Sequence, residues 1–372
     1  MKIGIMVDTL SVGGAERQAI LCVSELRKLG HAADLIHYRP SVEYAPMLER
    51  LNLSPVYVPA GNFLQRCGRL SQLFRDRQYD VVHGFKMAAE VYTAFAGSWA
   101  GVPHRFGSFR SIYDLGPKYC ILHYCVDKLL DGWVVNSKVG ADSMARRTRI
   151  SPRKIFVLHN GVNCQLFSSS MSSSCAKAAL GISGDSIVIT MVARLEPGKN
   201  HRMLLNAAAI VLRDVPQARF LVVGKGSMGK MLPKYAQQAG VAQRVSFLGE
   251  RSDVAEILAA TDISVLSTDF EGMPNTLLEA MAAGKPIVCT SYPGADEILV
   301  HESNALLSPC GEPESFARNI QRLIKDPELR QRLAGTGYQI ARQKFSNETM
   351  ARNLETIYRK FEGARRSALA LN

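Results

Sequence analysis

A chain of 372 residues with 47% hydrophobic and 21% charged residues is too long for a typical single domain and ordinary for a soluble protein of two. With that composition, disorder is not the expectation. No window reaches the roughly 18 uninterrupted apolar residues of a spanning helix, and Asp8 interrupts MKIGIMVDTL before a signal-peptide core is complete, so the N-terminus reads as a strand. The eight cysteines are scattered, with no CxxC pair and no zinc spacing, which points to reduced thiols in a cytoplasmic protein. The net charge of +12 is uneven: residues 1–167 carry 21 Lys/Arg against 13 Asp/Glu, and residues 168–372 carry 24 against 20. A basic first half suits an anionic partner (phosphate groups, a membrane surface or nucleic acid), although solubility alone also accounts for it.

In chain order, Ile3–Val7 reads as a buried strand and Ala15–Leu29 as an amphipathic helix stopped by Gly30. Strands follow at Ala33–His37, Val56–Val58, Val81–Val82, Arg105–Ser108, Trp133–Val135 and Ile155–Leu158. The serine-rich run Ser168–Cys175 has the composition of a linker. After it the alternation restarts: strand Ile187–Val192, helix Arg202–Asp214, strand Arg219–Val223, helix Met228–Gln238, then strands Val245–Leu248, Ile263–Leu266 and Pro286–Cys289. The expected fold class is α/β, two doubly wound Rossmann-like domains with parallel sheets and a ligand in a cleft between them. The expected boundaries are 1–167, a linker at 168–175, 176–345, and a last helix at 346–372 returning to the first domain.

Three segments carry chemistry. Gly13-Gly14 lies between the first strand and helix, where backbone N–H groups bind anions, and a plain tight turn explains the pair as well. It is not GxGxxG, which weakens a dinucleotide reading. In FEGMPNTLLEAMAAGKPIV, residues 270–288, Pro274 or Asn275 opens a helix that Gly284 closes. Glu271 then precedes the helix, where a carboxylate can accept sugar hydroxyls. The first-turn N–H groups of Asn275, Thr276 and Leu277 face phosphates, and Glu279, in the second turn, can accept ribose hydroxyls. Arg194 and Lys199, in the loop after Ile187–Val192, place two positive charges where a diphosphate leaving group would be neutralised.

EGMPNTLLEAMAAGKPIV resembles the E-x7-E segment of retaining glycosyltransferases of the GT-B fold, in the large family that includes glycogen, sucrose and lipopolysaccharide or capsule enzymes. The resemblance extends to VARLEPGKNHRMLL, FLVVGKGS, VSFLGERSDV, HNGVN and GGAE, and so covers nearly the whole chain in order. It implies that Arg194 and Lys199 neutralise the departing diphosphate, Glu271 holds the sugar and Glu279 the ribose. It further implies that Gly224 and Gly226 form the turn near the nucleotide and that Arg251 lies where relatives hold the base. Family members often place a histidine after a first-half strand. RFGSFRSIYD has Arg110 there, which makes Arg110 the candidate contact to acceptor or sugar, since neither His83 nor His104 fits. The implied reaction moves a sugar from a nucleoside-diphosphate carrier to an acceptor hydroxyl with retention, the donor phosphate taking the proton. The acceptor would be a saccharide or lipid-linked saccharide at the cytoplasmic membrane face. No cofactor or metal is expected: Asp269-Phe270-Glu271 is the nearest thing to a DxD metal site, and the resemblance assigns Glu271 otherwise. A sugar-nucleotide epimerase or a pyridoxal-phosphate-dependent phosphorylase would share the architecture. Nothing resembles a helix-turn-helix, RRM or zinc module, so nucleic acid is not an expected partner.

Overall fold

The computed structural model describes residues 1–59, 61–110, 117–168 and 171–369. The chain forms two compact units, one of Met1–Gly161 with the segment from Asn347 onward, the other of Val162–Ser346.

In the first unit, β1 (Lys2–Val7), β2 (Ala32–His37), β3 (Val56–Tyr57), β4 (Val81–Phe85), β5 (His104–Phe109), β6 (Gly132–Val135) and β7 (Ile155–Val157) form one parallel sheet in the order β3-β2-β1-β4-β5-β6-β7. β1, β4 and β6 are almost wholly buried, because helices cover both faces, and this is why they read as apolar runs without alternation. The helix Asn347–Leu369 belongs to this unit: Met350, Leu354, Ile357 and Tyr358 pack with Ile3, Ile5 and Ile20.

In the second unit, β8 (Val188–Val192), β9 (Arg219–Val223), β10 (Val245–Gly249), β11 (Ile263–Leu266), β12 (Ile287–Thr290) and β13 (Leu306–Ser308) form a parallel sheet in the order β10-β9-β8-β11-β12-β13. β13 is too short to show in the sequence. The run read as a linker lies inside this unit, where Ser172 caps the helix Ser173–Ala179 by accepting from the Cys175 N–H at 3.3 Å. A serine that caps a helix has the same composition as one in a linker. The helix expected at Met228–Gln238 begins only at Leu232, because Pro233 fixes its first turn.

Each sheet reverses its strand order once, between β1 and β4 and between β8 and β11. At such a switch point the loops leaving adjacent strands diverge and open a crevice at the carboxyl ends, where ligands of doubly wound sheets bind.

Candidate active site

The loops after β8 and β11 meet at the switch point of the second unit. The first ends in a 3-10 turn, Pro197–Lys199, and Asn200 then turns left-handed at φ 48°, a conformation asparagine tolerates. Its Oδ1 accepts from the Met203 N–H at 3.3 Å and caps the helix His201–Asp214. The second loop is bonded to the first. Ser267 Oγ lies 3.1 and 3.0 Å from the Lys199 and Asn200 carbonyls. Thr268 Oγ1 and the Asp269 N–H both donate to the Gly198 carbonyl at 3.0 Å, and Asn200 Nδ2 donates to Asp269 Oδ1 at 3.0 Å. These bonds bring Lys199 and Glu271, 72 residues apart, into a direct ion pair, Nζ to Oε1, with both residues more than nine-tenths buried. His201, next to the pair, is buried with neither ring nitrogen bonded. Burial, with the Lys199 charge, lowers its pKa to about 4, so the ring is neutral and adds no charge.

Glu271 lies in the loop four residues before the start of the helix Asn275–Ala282, which Pro274 opens and Gly284 ends at φ 61°. Asn275 and Thr276 begin the helix as expected. Leu277 does not offer its N–H to a ligand, because it donates to the Pro274 carbonyl at 3.3 Å, a tightening common in first turns. Glu279 is buried in the second turn.

Gly224 and Gly226 hold the β9 exit loop against the β8 exit loop. Gly224 has φ 143°, and a Cβ there would sit 2.0 Å from the Ala193 carbonyl oxygen; one at Gly226 would sit 2.5 Å from that of Leu195. Backbone bonds Leu195 to Lys225 at 2.9 Å and Met228 to Leu195 at 2.8 Å complete the seam. Arg194 stays exposed above it. Glu196 accepts from the Ser227 hydroxyl at 2.6 Å and N–H at 3.2 Å, and these bonds hold its carboxyl below the usual range. Arg251 forms a two-bond pair with Asp253 at 2.8 and 2.5 Å, and Lys225 pairs with Glu250 at 2.5 Å.

At the first unit's switch point, Gly13 precedes the helix Gly14–Lys28. This helix start already has a carboxylate: Glu16, 2% exposed, lies so close that a Cβ on Gly13 would be 2.3 Å from its Oε2. Glu16 is ion-paired with Lys86, which directly follows β4, has φ 73° and ψ 155°, and also lies 3.9 Å from Asp8. Glu16 Oε2 accepts no hydrogen bond and the helix has no side-chain cap, so the carboxylate adds negative charge beside the Gly13-Gly14 helix start without capping it. Arg110 directly follows β5; its Nη1 donates to Asn160 Oδ1 at 2.9 Å and its guanidinium lies 4.3 Å from the Phe85 ring centre. Ser111–Asp114, the rest of the RFGSFRSIYD stretch, lies outside the described residues.

Comparison with known proteins decides the family. Residues 175–340 match the model for "Glycosyl transferases group 1", and residues 12–166 match "Glycosyltransferase Family 4". The inferred glycosyltransferase EpsD of Bacillus subtilis (strain 168) is 30% identical over 307 residues, 78% of this chain and 79% of that one. The chain is a family 4 glycosyltransferase. An Escherichia coli relative, UDP-Gal:alpha-D-GlcNAc-diphosphoundecaprenol alpha-1,3-galactosyltransferase, is 28% identical over 272 residues, 70% of each chain. Anabaena HepE, solved with UDP and glucose, superposes with a TM-score of 0.87 over 97% of this chain and all of its own, at 23% identity, and this likeness establishes the GT-B fold.

In this glycosyltransferase the structure brings Lys199, Glu271 and the start of the Asn275 helix together, with Arg194 in the same loop as Lys199. An open depression of about 570 Å³, lined by Thr261, Asp262 and Lys285 among others, lies at the amino ends of β11 and β12, the opposite edge of the sheet. Asp269 is engaged by Asn200, and among the described residues no three His, Cys, Asp or Glu side chains cluster as metal ligands. Sequence reading missed Glu16, Lys86, Asn160 and His201. Lys86 had a usable signal, since it ends an apolar strand at a switch point. The pairing of Glu16 with a residue 70 positions away had none.

Proposed function

We propose that this glycosyltransferase moves a sugar, with retained anomeric configuration, from a nucleoside-diphosphate sugar to a lipid-linked saccharide, the donor being held by the second unit. The observation that carries this reading is the buried Lys199–Glu271 pair at the β8/β11 switch point, beside a helix start. Without ligand, Glu271 neutralises Lys199. When the diphosphate arrives, Lys199 and Arg194 turn their charge to it and Glu271 is released to accept the sugar's hydroxyls. Charge grows on the leaving diphosphate as the glycosidic bond breaks, so these cations and the Asn275–Thr276 helix start stabilise the transition state more than the ground state. Glu279 is assigned to the ribose, and Arg251 to the base side of the nucleotide, where it must first leave Asp253.

The Escherichia coli relative's name and the UDP bound to Anabaena HepE put UDP-sugars first among donors. The test is a hydrolysis and protection screen over UDP-, GDP- and ADP-sugars, with the product anomer read by NMR. Protection by none of them, or an inverted product, overturns the reading. Because Arg194 and Lys199 meet the diphosphate charge, transfer needs no divalent metal: activity should survive exhaustive chelation, and a loss restored by magnesium or manganese refutes that point.

A further inference from the structure

Arg110 is a half-buried cation that no carboxylate neutralises among the described residues. The Nε and Nη2 atoms that form the side-on edge of its guanidinium are sealed from solvent and have no hydrogen-bond partner. This is the edge that grips two oxygens of one phosphate or carboxylate. Only Nη1 is engaged, by Asn160, itself 4% exposed, and the flat face lies on Phe85. No carboxylate is ion-paired with Arg110 among the described residues. The polar groups that face it electrostatically, Cys22 and Tyr358, are neutral, since burial pushes the Cys22 thiol up to about 12 and the Tyr358 phenol well above its usual value. His83, also close, is held neutral by burial between Tyr358 at 2.6 Å and Ser108 at 2.7 Å. An unpaired buried charge is costly. Its fold position suggests what offsets the cost. Arg110 follows the last residue of β5, Lys86 follows the last residue of β4, and these strands are neighbours, with Phe85 in register with Ser108. The Lys86 side chain is 44% exposed, so two cations stand at adjoining carboxyl ends beside the switch point, one of them strained in a backbone region that few side chains adopt.

We propose that Arg110, positioned by Asn160 and assisted by Lys86, binds a phosphate group of the acceptor. The acceptor class is then a saccharide carried on a phosphate or diphosphate rather than a neutral glycan. This rests on the glycosyltransferase reading and sharpens its acceptor. Phosphate oxygens also occur in the donor, so the test separates the two sources. Binding of farnesyl diphosphate, inorganic pyrophosphate and UDP to the full chain is measured by titration calorimetry for wild type, Arg110→Lys, Arg110→Gln and Asn160→Ala, with melting curves confirming that each folds. Arg110→Gln should weaken farnesyl diphosphate and pyrophosphate at least tenfold, and Arg110→Lys, which keeps charge but loses the fork, about threefold. Asn160→Ala should follow Arg110→Lys, with the KM for a diphosphate-linked acceptor raised and kcat largely kept. UDP affinity should stay within twofold throughout. A parallel loss of UDP affinity would assign the fork to the donor, and unchanged diphosphate binding would make the guanidinium a packing element; either overturns the proposal. Wild type that binds farnesyl diphosphate but no nucleotide sugar would keep this site and sink the donor reading.

Discussion

Removing either member of the Lys199–Glu271 pair should expose how much of the second unit's stability rests on it. Both side chains are 11% exposed, so solvent screens the survivor little. Breaking a buried pair by deleting one partner typically costs about 3–5 kcal/mol, because the remaining charge is stranded. Lys199→Ala and Glu271→Ala should each therefore destabilise the second unit by about 3 kcal/mol. The double variant strands no charge and should lose clearly less than the sum, with a coupling of about 2 kcal/mol. The chain offers a convenient readout: its two tryptophans, Trp99 and Trp133, both lie in the first unit. In urea, tryptophan fluorescence should report an unchanged first unit while far-UV circular dichroism shows a second transition moved to lower denaturant. If the two probes shift together, or the single costs add to within about 0.5 kcal/mol, the pair is not what holds these loops. All three variants should lose turnover, since each removes a group assigned to the donor.

Gly224→Ala should cost about 3 kcal/mol by thermal melting, from a Cβ 2.0 Å from a carbonyl, whereas Gly240→Ala, with φ 72° and open space, should cost only about 1 kcal/mol; equal effects would refute the close-approach argument. His201 has a folded pKa near 4 against 6.5 unfolded, so the unfolded chain binds the extra proton between those values and stability falls as pH drops through that window. His201→Leu should remove part of that acid sensitivity in melts between pH 7 and 4, and an unaltered pH slope would deny it. Membrane contact is expected through the helix Pro117–Asp127, which exposes Tyr119, Ile121 and Tyr124 together with Lys118. Anionic but not neutral liposomes should sediment the protein, less so in high salt or after Ile121→Glu, and equal binding to both or to neither would leave the basic bias a matter of solubility.

Strands were legible because parallel strands covered on both faces become apolar runs, and their boundaries at β9 and β11 fall where the sequence placed them. β13, with three residues, offered too little pattern. Within the site, Glu271 and the Asn275 helix were readable because a helix start has local chemistry: proline, then asparagine, then an apolar repeat. The contact between Lys199 and Glu271 was not, since it depends on Ser267, Thr268 and Asp269 reaching the Lys199 loop through bonds that span about 70 residues of sequence. Leu277 shows the limit of a general rule, for a helix start has unmatched N–H groups only until a tightened turn takes one of them.

The charges divide between two kinds of site. In the second unit, Lys199, Lys225 and Arg251 each have their own carboxylate, in Glu271, Glu250 and Asp253. A ligand that takes up any of these three cations must exchange with its carboxylate. A single negative charge gains little from such an exchange, whereas a diphosphate brings more charge than the carboxylate it displaces and is favoured by the difference. The exchange also leaves Glu271 buried without its lysine, a costly state unless something else satisfies its oxygens. Sugar hydroxyls do so. On the proposed reading, diphosphate and sugar are therefore bound cooperatively: a nucleoside diphosphate alone pays for a stranded Glu271, and the intact donor does not. This asymmetry favours donor over spent product at the same loops and helps the product leave.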